Sequence, residues 1–289
     1  MLYFRQDRST KAARIARLPA WRRQLVETDA GTVDVLDIGK DQDHAILLIT
    51  HGLGSMESFE EIAEGLEARH PGRRVVAYSR PGRGASPAHT GLEAADRLSH
   101  ESLRLLPALL RALGIRSVDL VAHSDGVAIA MLFACAHAEM VGRMVALSPQ
   151  VHADRQFNAV TAELLADHRC QEEIERLCAE HLDPALAIRC WAEGRDALSA
   201  APERVLEQVA ALDAPLLLIQ GLRDEYGVQP QMAALSDRVP GPMKWVILRQ
   251  DGHFPQHDST EVVLDLICGH LDDREEQRRP DRMGSGPAV

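Results

Sequence analysis

The chain contains no run of about 18 consecutive apolar residues, so no membrane span is expected. Basic residues are in the minority, 32 Lys and Arg against 43 Asp and Glu, for a net charge of −11. That balance argues against a surface built to grip phosphate backbones, and no nucleic-acid partner is expected. Cysteines number only five and form no CxxC pair. Most sit in apolar helical patterns, which points to reduced thiols in a cytoplasmic setting rather than a disulfide framework. Cys170 and Cys178 have a spacing compatible with one helical face, but a metal site would need two further ligands. No phosphate loop, dinucleotide fingerprint or histidine-rich metal pattern occurs at a workable spacing, since Gly82-Arg83-Gly84 does not open a helix as such a loop must. Neither a metal nor another cofactor is implied.

What is present suits one large domain, or a domain carrying an inserted subdomain. The 45% hydrophobic and 26% charged content of the 289 residues is ordinary for a globular protein. Residues 1–23 carry Arg5, Arg8, Lys11, Arg14, Arg17, Arg22 and Arg23 against the single acid Asp7. The stretch lacks the apolar core of a secretory signal and reads as a basic, solvated helical arm, with an organelle-targeting peptide as the alternative. At the other end, 273–289 is charged and then rich in Gly and Pro, the composition of a disordered tail.

Between the ends, apolar β-rich runs alternate with helical patterns. Residues 26–39 read as a hairpin turning near Asp29-Ala30-Gly31. The continuous apolar run 44–52 predicts a strand covered on both faces. Helical spacing follows at Phe59, Ile62 and Leu66, then a strand over 73–82. A broad leucine stripe marks a helix over 94–113. A strand (117–124), a buried helix (126–138) and a strand (142–149) come next. Residues 151–213 break the alternation: they read as almost wholly helical, with 13 acidic residues against 6 basic. The pattern then resumes with strands at 214–221 and 244–250 and helices at 231–239 and 261–271. Such alternation predicts an α/β fold with a mostly parallel sheet of eight strands, flanked by helices, its antiparallel hairpin at one edge. The core is assigned to 24–150 and 214–272, and 151–213 is a helical cap inserted after the sixth strand.

The most informative segment is VDLVAHSDGVAIAMLF (118–133). An apolar strand runs straight into Ala122-His123-Ser124-Asp125-Gly126, and an apolar helix begins at once. A serine at so sharp a turn exposes its hydroxyl, and small residues on both sides let strand and helix backbones approach. The helix N-terminus favours negative charge at that point. The competing reading is a plain turn in which Ser124 or Asp125 caps the helix.

With these residues the chain resembles the α/β-hydrolase-fold superfamily over about residues 24–272. His51-Gly52 resembles the family's oxyanion loop, and the stretch from Ser79 to Ser86 its glycine-rich loop. The serine turn, a late acid and a late histidine follow in the family's order. Ala122 and Val127 depart from the pattern by standing where glycines are usual. The resemblance implies that Ser124 is the nucleophile, activated by a neighbouring base. Of 13 histidines, His253 holds the family's position after the last strand, with His257 as its rival. Asp224, after strand 214–221, would orient that base, with Glu225 and Asp154 as alternatives. Leu53 and Asp125 would supply backbone amides to the oxyanion, while His51 and His123 would support the loops.

Other members of the superfamily fit less well. Dehalogenases and epoxide hydrolases place aspartate where Ser124 stands, and epoxide hydrolases add cap tyrosines, absent from 151–213. Carbon–carbon bond hydrolases of ring-cleavage products commonly have asparagine and tryptophan where His123 and Phe254 stand here. The expected activity is hydrolysis of a carboxylic ester, lactone or thioester of a small, largely apolar molecule through an acyl-serine. A carbon–carbon hydrolase, an acyltransferase or perhydrolase on the same residues, and a non-catalytic ligand-binding protein remain the alternatives. His152, Arg189, Trp191 and Phe254 are candidate substrate contacts. The cap's short side chains suggest an apolar cavity and its acidic exterior disfavours strongly anionic substrates. The partner is a small molecule; the pattern leaves monomer and homodimer both open.

Overall fold

The computed structural model describes residues 21–39, 42–89, 91–152, 180–201 and 203–273. The expected arm over 1–20, most of the expected tail, Cys170 and Cys178, and cap residues 153–179, among them Asp154, lie outside these ranges.

Strands β1 (Trp21–Thr28) and β2 (Gly31–Ile38) form the expected hairpin, paired from Trp21↔Ile38 to Thr28↔Gly31. The core therefore begins by Trp21, not at residue 24. Arg22 and Arg23, assigned to the basic arm, belong to β1, where each meets an acid of β2: Arg22 with Asp37 at 3.0 Å and Arg23 with Asp34 at 2.7 Å. Opposite charges facing across an antiparallel pair favour that register.

The remaining strands are β3 (His44–Ile49), β4 (Arg74–Tyr78), β5 (Ser117–His123), β6 (Val141–Leu147), β7 (Leu216–Gly221) and β8 (Met243–Leu248). They complete one sheet in the order β1-β2-β4-β3-β5-β6-β7-β8, antiparallel at β1–β2 and β2–β4 and parallel elsewhere. Alternation along β3 explains its unbroken apolar run. Ala45, Leu47 and Ile49 enter one core, and Ile46 and Leu48 the other.

Helices cover both faces. On one lie α1 (Glu60–Arg69) and, from the far end of the chain, α9 (Thr260–Asp272), packing Ile62, Leu66, Val263 and Ile267. On the other, α2 (Ala94–His100) runs through one wide π turn, Glu101–Leu105, into α3 (Leu106–Ala112), beside α4 (Gly126–Ala136). Burying α4 from Gly126 to Ala134 explains why its sequence is apolar all round. Each fully buried Leu or Ile stabilises such a core by about 1.5–3 kcal/mol relative to exposure. Between β6 and β7 the described cap residues form α5 (Pro184–Ala200) and α6 (Glu203–Gln208). Short helices α7 (Gln229–Ser236) and α8 (Pro255–Asp258) flank β8. Cys135, Cys190 and Cys268 are free thiols.

Candidate active site

The parallel strands β5, β7 and β8 end on one edge of the sheet, where open α/β sheets place their ligands. Ser124 follows β5 directly, Asp224 follows β7 after two intervening residues, and His253 follows β8 after four. All three are at least nine-tenths buried.

Ser124 has φ +58°, a left-handed conformation that costs a non-glycine residue about 1–3 kcal/mol. Its neighbours hold it there: Ser124 N donates to Leu147 O at 3.0 Å, and Gln150 N donates to Ser124 O at 3.1 Å. The glycine two residues on is obligatory, because a Cβ at Gly126 would lie 2.4 Å from Thr50 O and 2.9 Å from Ile49 O. The capping alternative does not describe this turn. Asp125 precedes α4 without a side-chain capping hydrogen bond, and its carboxylate turns instead to Arg80 at 3.1 Å.

Ser124 Oγ lies 2.9 Å from His253 Nε2, and His253 Nδ1 lies 2.9 Å from Asp224 Oδ2. Asp224 also accepts from Gln220 Nε2 at 2.8 Å and from Tyr226 N at 3.0 Å. Burial alone would raise its pKa, but His253 and these two donors outweigh it and hold the carboxylate below its ordinary value. For His253, burial favours the neutral ring, yet Asp224, with Glu225 and Asp125 behind it, raises the pKa above the usual histidine value. The alternatives stand elsewhere: Glu225 is not the carboxylate on His253, and His257 approaches Glu61 at 4.0 Å.

His123 and His51 pack beneath this group. His123 Nε2 faces His253 O at 2.8 Å and must donate, leaving Nδ1 to accept from Gln256 Nε2 at 3.2 Å. That fixes a neutral tautomer, in keeping with the burial that drives the pKa of both histidines well down. Phe254 stacks edge-on against His253 and His51, so it packs the His253 ring in place.

Beside Ser124, opposite the sheet, the expected oxyanion loop, the glycine-rich loop and the cap converge. A Cβ on Gly52 would strike Trp191 Cδ1 at 2.4 Å and Asp125 Oδ2 at 2.8 Å, so this glycine permits a three-way contact. Neither Leu53 N nor Asp125 N donates a hydrogen bond to a described residue. Unpaired backbone donors are rare in folded proteins and stand ready for an acceptor. His181 joins the two loops, accepting from Gly84 N at 2.8 Å and donating to Leu53 O at 3.0 Å.

The neighbouring cavity is lined in part by Asp125, Gln150, Trp191 and Leu198, together with five arginines, Arg80, Arg83, Arg97, Arg195 and Arg204. The apolar cavity expected from the cap's short side chains is therefore half of the picture. Of the four candidate contacts, Trp191 lines this cavity. Arg189 is exposed, Phe254 packs on His253, and His152 is held by Gln231 Oε1 through its backbone amide.

Residues not singled out from sequence complete the site. Gln150 is buried with Oε1 at 3.1 Å from Ser124 Oγ, and its Nε2 finds no partner among the described residues. The serine has one proton and two acceptors in reach, so it can donate to His253 or to Gln150 but not to both at once. Glu101, in the π turn, accepts from Tyr78 Oη at 2.8 Å and pairs with Arg80 at 3.2 Å. Arg80 thus links this helix to Asp125. Gln150 follows a strand next to the serine's, and the π turn disturbs an otherwise regular helix, a feature that often marks functional sites.

A model of the alpha/beta hydrolase family matches residues 46–266. No curated protein matches the sequence. Among solved structures, the chain is similar to a carboxylesterase from Bacillus subtilis at 19% identity and TM-score 0.66, covering 92% of this chain and 96% of that one. It is also similar to a 2-hydroxy-6-oxo-6-phenylhexa-2,4-dienoate hydrolase from Rhodococcus sp. strain RHA1, at 15% identity and TM-score 0.70, over 87% and 99% of the two chains. An enol-lactonase from Burkholderia xenovorans LB400 is similar at 15% identity and TM-score 0.64, over 86% and 99%. These likenesses speak to the fold. With the family model spanning well over half of its length, the chain belongs to the alpha/beta hydrolase family.

Proposed function

We propose that this protein is a serine hydrolase that cleaves a carboxylic ester, lactone or thioester through an acyl-serine intermediate. The observation that carries the reading is the continuous chain from Ser124 Oγ through His253 to Asp224, with both links at 2.9 Å, at a serine held in a left-handed turn. The carboxylesterase and the enol-lactonase that share the fold lend support.

In this mechanism His253 takes the Ser124 proton as Oγ attacks the carbonyl carbon, and Asp224 stabilises the resulting imidazolium. The tetrahedral oxyanion accepts from the Leu53 and Asp125 amides, which have no competing acceptor among the described residues. His253 then protonates the leaving oxygen or sulfur. A water, deprotonated by the same ring, releases the acid and restores Ser124. The described helices α5 and α6 line the cavity and help to select the substrate.

The test is hydrolysis of p-nitrophenyl esters of graded chain length by wild type and Ser124→Ala. The expected loss is about 10³-fold or more in kcat, with fluorophosphonate labelling of the wild type alone. An unaffected variant refutes Ser124 as nucleophile. Product analysis with added alcohol or amine separates hydrolysis from acyl transfer.

A further inference from the structure

Of the five arginines around the cavity, four have a carboxylate. Arg80 has two, Glu101 at 3.2 Å and Asp125 at 3.1 Å. Arg97 pairs with Glu193, Arg195 with Asp196 at 3.1 Å, and Arg204 with Asp96 at 3.7 Å. Arg83 is the exception. It is 6% exposed, donating from Nε to Gly52 O at 2.9 Å and from Nη1 to Pro81 O at 2.8 Å. Among the described residues no carboxylate lies within ion-pairing distance of it.

Two neutral carbonyls answer two of the five N–H donors of a guanidinium and give it no direct ion pair; Glu101 and Asp125, which act on it from farther off, are both bonded to Arg80. Buried charges are ordinarily paired, because desolvation penalises a lone one heavily. Burial, with Arg80 close by, pushes the Arg83 pKa down to about 10, which still leaves it cationic at neutral pH. A second donor points the same way: Arg195 Nη1 is buried and has no hydrogen-bond partner among the described residues. Anchoring the Gly52 carbonyl explains two Arg83 contacts. It does not explain a buried guanidinium without a direct ion pair in the wall of a cavity lined by four other guanidinium groups.

We propose that the cavity recognises a substrate bearing a carboxylate, which pairs with Arg83 while the scissile carbonyl sits at Ser124. This deepens, and rests on, the serine-hydrolase reading. Position supports it. Arg83 holds Gly52 O, on the peptide that carries the Leu53 amide, and Arg80 bridges to the Asp125 side chain, so two arginines of the cavity contact the residues beside both expected oxyanion donors. Trp191, Leu198 and Val205 supply apolar surface for the carbon skeleton between the two polar ends. The ligand is therefore an ester, lactone or thioester whose acyl or alcohol part ends in a carboxylate.

The test compares kcat/KM for two charged probes with neutral counterparts. p-Nitrophenyl hemiglutarate is set against p-nitrophenyl valerate, and 4-acetoxybenzoate against its methyl ester, which distinguishes an acyl-side anion from an alcohol-side one. In the wild type at least one charged probe should be favoured about ten- to a hundredfold, the worth of hydrogen bonds to a charged group. Arg83→Met should bring that ratio close to one. Displacement of the Gly52 loop alone would slow both members of a pair equally and leave the ratio unmoved. Should Arg83→Met fail to fold, competitive inhibition of wild-type neutral-ester hydrolysis by glutarate, and its absence with glutaramide, reads the same preference. Ratios near one for both wild-type pairs, or a ratio unchanged in Arg83→Met, overturn the proposal. Turnover of neutral esters with Ser124 labelled by fluorophosphonate, but without carboxylate preference, overturns it alone. No turnover of any ester and no labelling of Ser124 refute the hydrolase reading and this proposal together.

Discussion

Ser124, Asp224 and His253 follow three parallel strands, whereas His181, Trp191 and Arg195 come from one stretch between β6 and β7, where His181 and Trp191 meet the loops after β3 and β4. The first group is built into the sheet. Strand register sets the spacing of its members, and Asp224 is held by three separate donors. The second group meets the loops through side chains: His181 accepts from Gly84 N and donates to Leu53 O, and Trp191 packs close to Gly52. The difference teaches a division of labour. Under the proposed mechanism, geometry that must hold to tenths of an ångström rests on the hydrogen-bonded ladder, and substrate recognition falls to side chains outside it. Changes in the first group should therefore strike rate, and changes in the second should strike selectivity or the precision of the oxyanion loop.

The hardest strike on the strand-borne group short of replacing Ser124 is Asp224→Asn. The side chain keeps its shape, and its Oδ1 retains an acceptor for Tyr226 N, so the fold should persist with an unchanged circular-dichroism spectrum. Asparagine cannot stabilise the imidazolium, however, and can present its NH₂ to His253 Nδ1, selecting the wrong tautomer. The expected loss in kcat is about 10³- to 10⁴-fold. A loss below about tenfold would show that Glu225 or another acid serves as the partner of His253.

A smaller effect, with a definite sign, should appear in the pH profile. The base must be neutral to act, so kcat/KM rises with pH as His253 loses its proton. Although burial opposes the charged ring, Asp224, Glu225 and Asp125 outweigh it, so the midpoint should fall above the ordinary histidine pKa of about 6.5. Residual activity of Asp224→Asn should show the midpoint moved down, since the largest stabiliser of the imidazolium is gone. A wild-type rate flat from about pH 5 to 9 contradicts His253 as the base.

The strand-borne group was also the more legible of the two. Continuous apolar runs marked β3, β5 and β7, and the small residues about Ser124 predicted the turn that Gly126 makes possible. Which carboxylate meets His253 was less open to reading, because Asp224 and Glu225 are adjacent and only the path of the chain after β7 separates them. The recognition side was harder. Arg189 and Trp191 stand two apart on α5 and so point to different faces, whereas Trp191 and Arg195, four apart, share one. The Arg195 guanidinium indeed lies 5.6 Å from the Trp191 ring centre. The meeting of Glu101, Arg80 and Asp125 depends on a π turn and two loops, none of which leaves a periodic trace. The start of β1 was misplaced because the charges of Arg22 and Arg23 resemble those of the preceding arm, and their acidic partners lie across a hairpin.

The gentlest test cuts the bond between the two groups. His181 stands between Gly84 N and Leu53 O, and burial lowers its pKa and keeps it neutral, able to accept at Nδ1 and donate from Nε2. His181→Ala leaves the Gly84 amide and the Leu53 carbonyl without these partners and loosens the Leu53–Gly54 peptide, which adjoins the one that carries the Leu53 amide. Complete removal of an oxyanion donor costs about 10²–10³-fold in kcat. Loosening one should cost less, about tenfold, and should fall on kcat while KM stays within about threefold, because the donor acts on charge that develops only in the transition state. His181→Gln, which can accept and donate with one side chain, should recover part of the loss. If KM rises instead and kcat holds, the contact between His181 and Leu53 serves to seat the cap, and the division between rate-setting strands and selective roof is sharper than the shared loop suggests.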